Sequence, residues 1–293
     1  MRERRSLGTF GVLDSLVAIT RFVVRGGLRG GENAFVDNGT LIVVHDAGFF
    51  SCCSVRLGAI LDYVGAQGRS PVRIDDRFLF DEYKPPYAGD LDICRRLFAD
   101  RSIEVPGDAT AHARWPGGAV DCRFLDFEAL KPFVERFFTP SDEVCRAIRL
   151  LEGKYGLTDY GSLCAVYYRG TDKRGETELP PFRDVLEKAR EIAQQSPWLR
   201  FLVQSDDAGF LAAAETFLPD AVTFTDENLP RGTAQRFQHA LWLLSTVVIM
   251  SRCRYLVCTS SNVSIWMVLY RGHTEGVVQY LKQRRRVRRS TMP

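Results

Sequence analysis

The sequence predicts an α/β protein whose second half is a doubly wound parallel sheet, preceded by a smaller and less regular α/β unit. Three observations predict it. Apolar, strand-like runs at 163–168, 201–204, 221–224 and 255–258 alternate with stretches of helical periodicity. Each run stops abruptly at polar residues: Arg169, then Ser205-Asp206-Asp207, Thr225-Asp226 and Thr259-Ser260-Ser261-Asn262. The first half opens with a strand, a glycine-containing turn and a helix, the beginning of a βαβ unit. Two such sheets facing one another would bind a ligand in the crevice between them.

In chain order, residues 1–38 read as a basic leader with an amphipathic stretch over 7–24, and Gly26-Gly27 and Gly30-Gly31 form a flexible connection. The β-branched run 41–44 is the first strand. His45-Asp46-Ala47-Gly48 turns the chain into a helix marked by Val55, Leu57, Ile60, Leu61 and Val64. The run 71–74 is a second strand, ending in Asp75-Asp76. Between 75 and 125 aromatics and prolines suggest loops, with a short helix near 90–99. Residues 126–152 are helical and broken at Pro140-Ser141, where Ser141 followed by Asp142-Glu143 marks a new helix start. Helices over about 181–195, 208–217, 234–251 and 263–271 separate and close the later strands. The expected divisions are a leader (1–38), a first α/β domain (39–152), a Rossmann-like domain (153–275) and a basic tail (276–293).

The hydrophobic share of 45% and charged share of 26% are ordinary for a globular protein, and a net charge of +3 implies no polyanion partner such as nucleic acid. Arginines crowd both ends. Such tails are usually solvated, with weak peripheral membrane contact as the alternative use. Eight cysteines show no CxxC pair and no metal-ligand spacing, so they read as reduced, buried thiols of a cytoplasmic protein. The stretch 7–24 carries Asp14 and Arg21 and is too short and too charged to span a bilayer, so neither a signal peptide nor a transmembrane helix is expected.

In a parallel sheet, ligands bind just beyond the carboxyl ends of the strands. Arg169 stands at such an end, and a guanidinium forks two donors onto phosphate oxygens. Ser260, Ser261 and Asn262 at a helix amino end suit phosphate, while Asp206, Asp207 and Asp226 suit sugar hydroxyls or base edges. The set points to a nucleoside-diphosphate ligand. Structural alternatives stand beside it: a solvent-paired turn for Arg169, and plain helix caps for 206–207 and 260–262. His45, Asp46 and Gly48 end the first strand and face the crevice from the other side; Gly48 would let the backbone approach a sugar closely. No GxxxxGK[ST], strand-linked GxGxxG or GxSxG occurs, so nucleotide kinases, dehydrogenases and α/β-hydrolases lack their signals. Asp90-Leu91-Asp92 has the letters of a metal-holding DxD but sits in a helix-like segment away from any strand end, and no metal is expected.

The stretch Tyr167-Tyr168-Arg169-Gly170-Thr171-Asp172-Lys173 resembles the HxRxTDK motif of the α-1,6-fucosyltransferases. Two segments follow in the family's order: 201–207, similar to its strand ending in Thr-Asp-Asp, and 255–262, similar to its Phe-Leu-Val-Cys-Thr with serines. Phe224-Thr225-Asp226 is a looser counterpart. The resemblance covers about residues 160–270. It implies a GT-B fold and an inverting, metal-independent transfer of a sugar, fucose first, from a GDP-sugar donor to a glycan acceptor. By position, Arg169 would bind the β-phosphate, Asp172 and Lys173 would share its loop, and Asp206, Asp207, Ser260 and Ser261 would line the donor pocket. Glu178 is the first choice of general base and Glu176 the second, with Asp46 and His45 as rivals. Tyr167 replaces the motif's histidine, Gly170 a second arginine, and Thr246 stands where the family sets an aspartate against guanine. Two other functions remain open: a transferase using another nucleoside-diphosphate sugar such as xylose or rhamnose, and a non-catalytic glycan- or nucleotide-binding domain.

Overall fold

The computed structural model describes residues 33–85, 91–99, 101, 105, 115, 121–170, 179–218, 220–224 and 235–281. Two sheets organise it. The larger has five strands, all parallel, in the order β6-β5-β4-β7-β8. They are β4 (Leu163–Tyr168), β5 (Arg200–Ser205), β6 (Val222–Thr223), β7 (Tyr255–Thr259) and β8 (Val277–Tyr280). The smaller has three strands, β1 (Ala34–Asp37), β2 (Thr40–His45) and β3 (Arg73–Leu79), with β1 antiparallel and β3 parallel to β2.

The central strand β4 is buried along its whole length, as expected of a parallel strand covered on both faces. Its side chains alternate. Cys164, Val166 and Tyr168 pack with Val185, Leu186 and Phe210 of helices α4 (Phe182–Gln195) and α5 (Ala208–Phe217). Leu163, Ala165 and Tyr167 join the opposite core, with Leu244 and Ile265 of α6 (Arg236–Arg252) and α7 (Asn262–Arg271). That second core continues without a break into the small sheet and its helix α1 (Phe49–Gln67), and into α2 (Phe127–Phe137) and α3 (Asp142–Tyr155). Polar bonds cross the same junction: Trp266 Nε1 donates to Ser54 Oγ at 3.0 Å, and Tyr270 donates its hydroxyl to the Phe138 carbonyl at 2.8 Å. Helix α1 is long and apolar enough to pass for a membrane span, but 61% of that window is buried, which makes it a core helix.

The helix starts follow the expected signals. Ser141 caps α3, and Gly156 ends it at φ 62°, a left-handed conformation that glycine adopts without strain. Three expectations need correction. Among the described residues the first-half unit contributes one parallel pair and one antiparallel edge strand, less than the second full Rossmann domain expected. Strands β1 and β8 fall in stretches read as leader and tail. Asp75 and Asp76 lie inside β3 rather than at its end. Burial of these acids is tolerated because both are paired, Asp76 to Arg56 at 3.0 Å and Asp75 to Arg77 at 2.7 Å. All eight cysteines are free thiols, seven buried and Cys145 half-buried. The stretch 7–24 lies outside the described residues.

Candidate active site

Three neighbouring strand ends meet at the carboxyl edge of the large sheet. Arg169 follows β4, and its backbone N–H donates to Thr259 Oγ1, the last residue of β7, at 2.8 Å. On the other side, the N–H of Gly170 donates to Asp206 Oδ1 at 2.7 Å, and Arg169 Nη1 lies 3.1 Å from Asp206 Oδ2. Ser205 Oγ closes the β4–β5 corner by donating to the Tyr168 carbonyl at 2.8 Å. The guanidinium is therefore held at the mouth of the sheet, 17% exposed, between the ends of its neighbouring strands.

Gly170 stands where an arginine is frequent in the resembled motif, and packing explains the glycine. A Cβ at this position would lie 2.5 Å from Asp207 Oδ2 and 2.7 Å from its Cβ. Tyr167, in place of the motif's histidine, is buried at the end of the same strand. Its hydroxyl faces Ser261 and Arg169, yet burial outweighs both and pushes its pKa up, so it stays a neutral phenol.

The predicted residues separate into three groups. Arg169, Asp206, Ser260, Ser261 and Asn262 are brought to one edge. Asp207 and Ser261 act as helix caps: Asp207 Oδ1 accepts from the N–H groups of Gly209 and Phe210, and Ser261 forms a reciprocal capping box with Ser264. The amino end of α7, with its positive dipole end, thus points to the edge where Arg169 stands. His45, Asp46 and Gly48 lie at the carboxyl end of β2, where His45 Nε2 is 2.9 Å from Ser51 Oγ. Burial lowers the His45 pKa against the opposing pull of Asp46, so the imidazole is neutral at pH 7. Asp172, Lys173, Glu176, Glu178 and Asp226 lie outside the described residues.

A groove of about 560 Å³ lies along α1. Ser51, the partner of His45, and Asn262, at the start of α7, both line it. It runs along α1 to Gln67 beneath β1, and Trp115 closes its side. Sequence reasoning missed it; the available signal was the small residues Gly58, Ala59 and Ala66 inside an otherwise bulky helix. Elsewhere among the described residues, Asp76, Asp92 and Cys94 offer ligand atoms within 4.8 Å of one another. Arg56 already grips both oxygens of Asp76 at 3.0 Å, so the guanidinium occupies the position a cation would need. Thr246 is fully buried and accepts from Gln204 Nε2 at 3.1 Å, which ties α6 to β5.

No protein-family model matches this sequence, and none of the curated proteins compared does. Solved structures do match. The selenomethionine form of fucosyltransferase NodZ from Bradyrhizobium superposes with a TM-score of 0.48 at 13% identity, over 78% of this chain and 90% of that one. NodZ α-1,6-fucosyltransferase co-crystallised with GDP gives 0.45 at 14% identity, over 78% and 90%. The form soaked with GDP-fucose gives 0.35 at 14%, over 50% of this chain and 47% of that one, so the chain spans about half the length of that structure. The chain is similar in structure, at low identity, to NodZ α-1,6-fucosyltransferase over most of its length.

Proposed function

We propose that this chain is an inverting glycosyltransferase that moves a sugar, fucose first, from a GDP-sugar to a glycan hydroxyl without a metal ion. The observation that carries the reading is the half-buried guanidinium of Arg169, paired with Asp206 while its backbone N–H is held by Thr259, at the mouth of a parallel sheet where β7 leads into the amino end of α7. A diphosphate is the ligand that such a pairing of arginine and helix dipole suits.

In this reading the β-phosphate lies against Arg169. The bond from the anomeric carbon to the phosphate oxygen breaks with its electron pair leaving on GDP, and Arg169 offsets the charge that develops. The acceptor oxygen forms its bond from the opposite face, and its proton passes to a carboxylate. Glu178 is the first candidate for that base and Glu176 the second. Asp46 and the neutral imidazole of His45, able to take a proton, are the rivals on the acceptor side. Asp172 and Lys173, which follow Arg169 closely in sequence, act with it in this reading.

One observation favours a second reading. Thr246 is spent on Gln204 in the core, so the position that would meet guanine in the resembled family is not open to a base. Another nucleoside-diphosphate sugar would then be the donor. Calorimetric titration with GDP and UDP in the presence of a chelator, paired with transfer from GDP-fucose, tests both readings. The first predicts GDP binding well above UDP binding, and transfer lost in Glu178→Gln with GDP affinity kept. UDP preferred over GDP would move the donor to the second reading, and binding of neither would end both.

A further inference from the structure

Strand periodicity decides what stands beside Arg169. Successive side chains of β4 alternate between its two faces, and Tyr167 lies with Leu163 and Ala165 on the face covered by α6 and α7. Its register partners, Gln204 of β5 and Cys258 of β7, are themselves buried, so the ring is enclosed from both sides and the residue is 3% exposed. The hydroxyl at its tip comes to the Arg169 guanidinium and to Ser261, the cap of α7. A guanidinium has donors and no acceptor. The phenol oxygen therefore accepts from Arg169 and keeps its own O–H to donate toward Ser261. Asp206 meets the same guanidinium from the β5 side at 3.1 Å.

We propose that Tyr167 is a positioning residue whose hydroxyl, together with Asp206, sets the direction in which the Arg169 guanidinium meets a diphosphate. The proposal rests on the transferase reading given above. Tyr167 touches no ligand in it and acts through Arg169 alone. The chemistry explains why a phenol suits the place. A second carboxylate would hold the guanidinium more firmly but cancel the charge that a diphosphate needs, and a cation would repel it. Burial pushes the Tyr167 pKa up, so the hydroxyl stays neutral and takes nothing from that charge. Arg169 is thus held by one charged and one neutral acceptor, carried on two neighbouring strands. A long side chain fixed in this way has less freedom left to lose when its ligand arrives.

The test is a double-mutant cycle read by titration calorimetry of the full chain with GDP and UDP, using whichever nucleotide binds tighter. Its four members are the natural protein, Tyr167→Phe, Arg169→Ala and the double variant. Phenylalanine keeps the ring in the core and removes only the hydroxyl. Tyr167→Phe is expected to weaken nucleotide binding about fivefold, the worth of one hydrogen bond, with the unfolding midpoint nearly unchanged. In the Arg169→Ala background the same substitution should change affinity by less than about twofold, because no guanidinium is left to orient. An equal loss in both backgrounds, or a loss that follows a fall in the unfolding midpoint, would make Tyr167 a support of α7 and overturn the proposal. Affinity unchanged in Tyr167→Phe but lowered in Arg169→Ala would overturn the proposal and leave the transferase reading standing. Binding of neither nucleotide by the natural chain would overturn both.

Discussion

Arg56–Asp76 in the small-sheet region and Arg169–Asp206 at the edge of the large sheet are both arginine–aspartate pairs, with separations of 3.0 and 3.1 Å. Their surroundings differ. In the first, the side chains are 8% and 3% exposed, Arg56 also donates to the Phe137 carbonyl at 2.8 Å, and its guanidinium lies 5.0 Å above the Phe138 ring. In the second, the side chains are 17% and 25% exposed and stand where two strands end. A buried pair whose groups are already committed is a strut. A half-exposed pair at a strand end can keep its geometry and still accept a new oxygen ligand, which is what a phosphate site needs. In the proposed reading the two sheets put one interaction to opposite uses, and position along the strand decides which.

Unfolding measurements should break that comparison most forcefully. Asp76→Ala leaves Arg56 buried without its counter-charge and should cost ~3–5 kcal/mol in urea unfolding. Arg169→Ala, measured the same way, should cost about 1 kcal/mol or less, since its pair is near the surface. Equal losses would mean that both pairs are struts. A smaller effect sharpens the picture of the large-sheet edge. Gly170→Ala must push Asp207 away from a 2.7 Å approach, and overpacking of this kind costs about 1–3 kcal/mol. The same substitution should also lower GDP affinity, because the loop carrying Arg169 must move; an unchanged affinity would separate Gly170 from the site.

The sequence was easiest to read where the protein is most regular. The all-buried run 163–168 and its polar stop marked the central strand and its mouth, and Ser141 and Ser261 marked helices whose caps are as expected. Strands β1 and β8 were missed because each is a short edge strand beside a glycine-rich or basic stretch, where composition argues for a tail. Asp75 and Asp76 suggested a strand end because acids rarely enter a core, and Arg56, the partner of Asp76, is 20 residues away in another element. The groove was illegible for a related reason: its walls come from β1, α1, α7 and Trp115, which are brought together only by packing. Asp207 shows the converse. The aspartate pair at 206–207 was visible, but only hydrogen-bond geometry assigns one acid to Arg169 and the other to a helix cap.

The central claim is that the guanidinium of Arg169 receives a diphosphate. Titration of GDP into the natural chain and into Arg169→Ala tests it directly. The account predicts a loss of about 10–100-fold in affinity, the worth of a hydrogen bond to a charged group, with the unfolding midpoint nearly unchanged. GDP bound equally well by both proteins would contradict it.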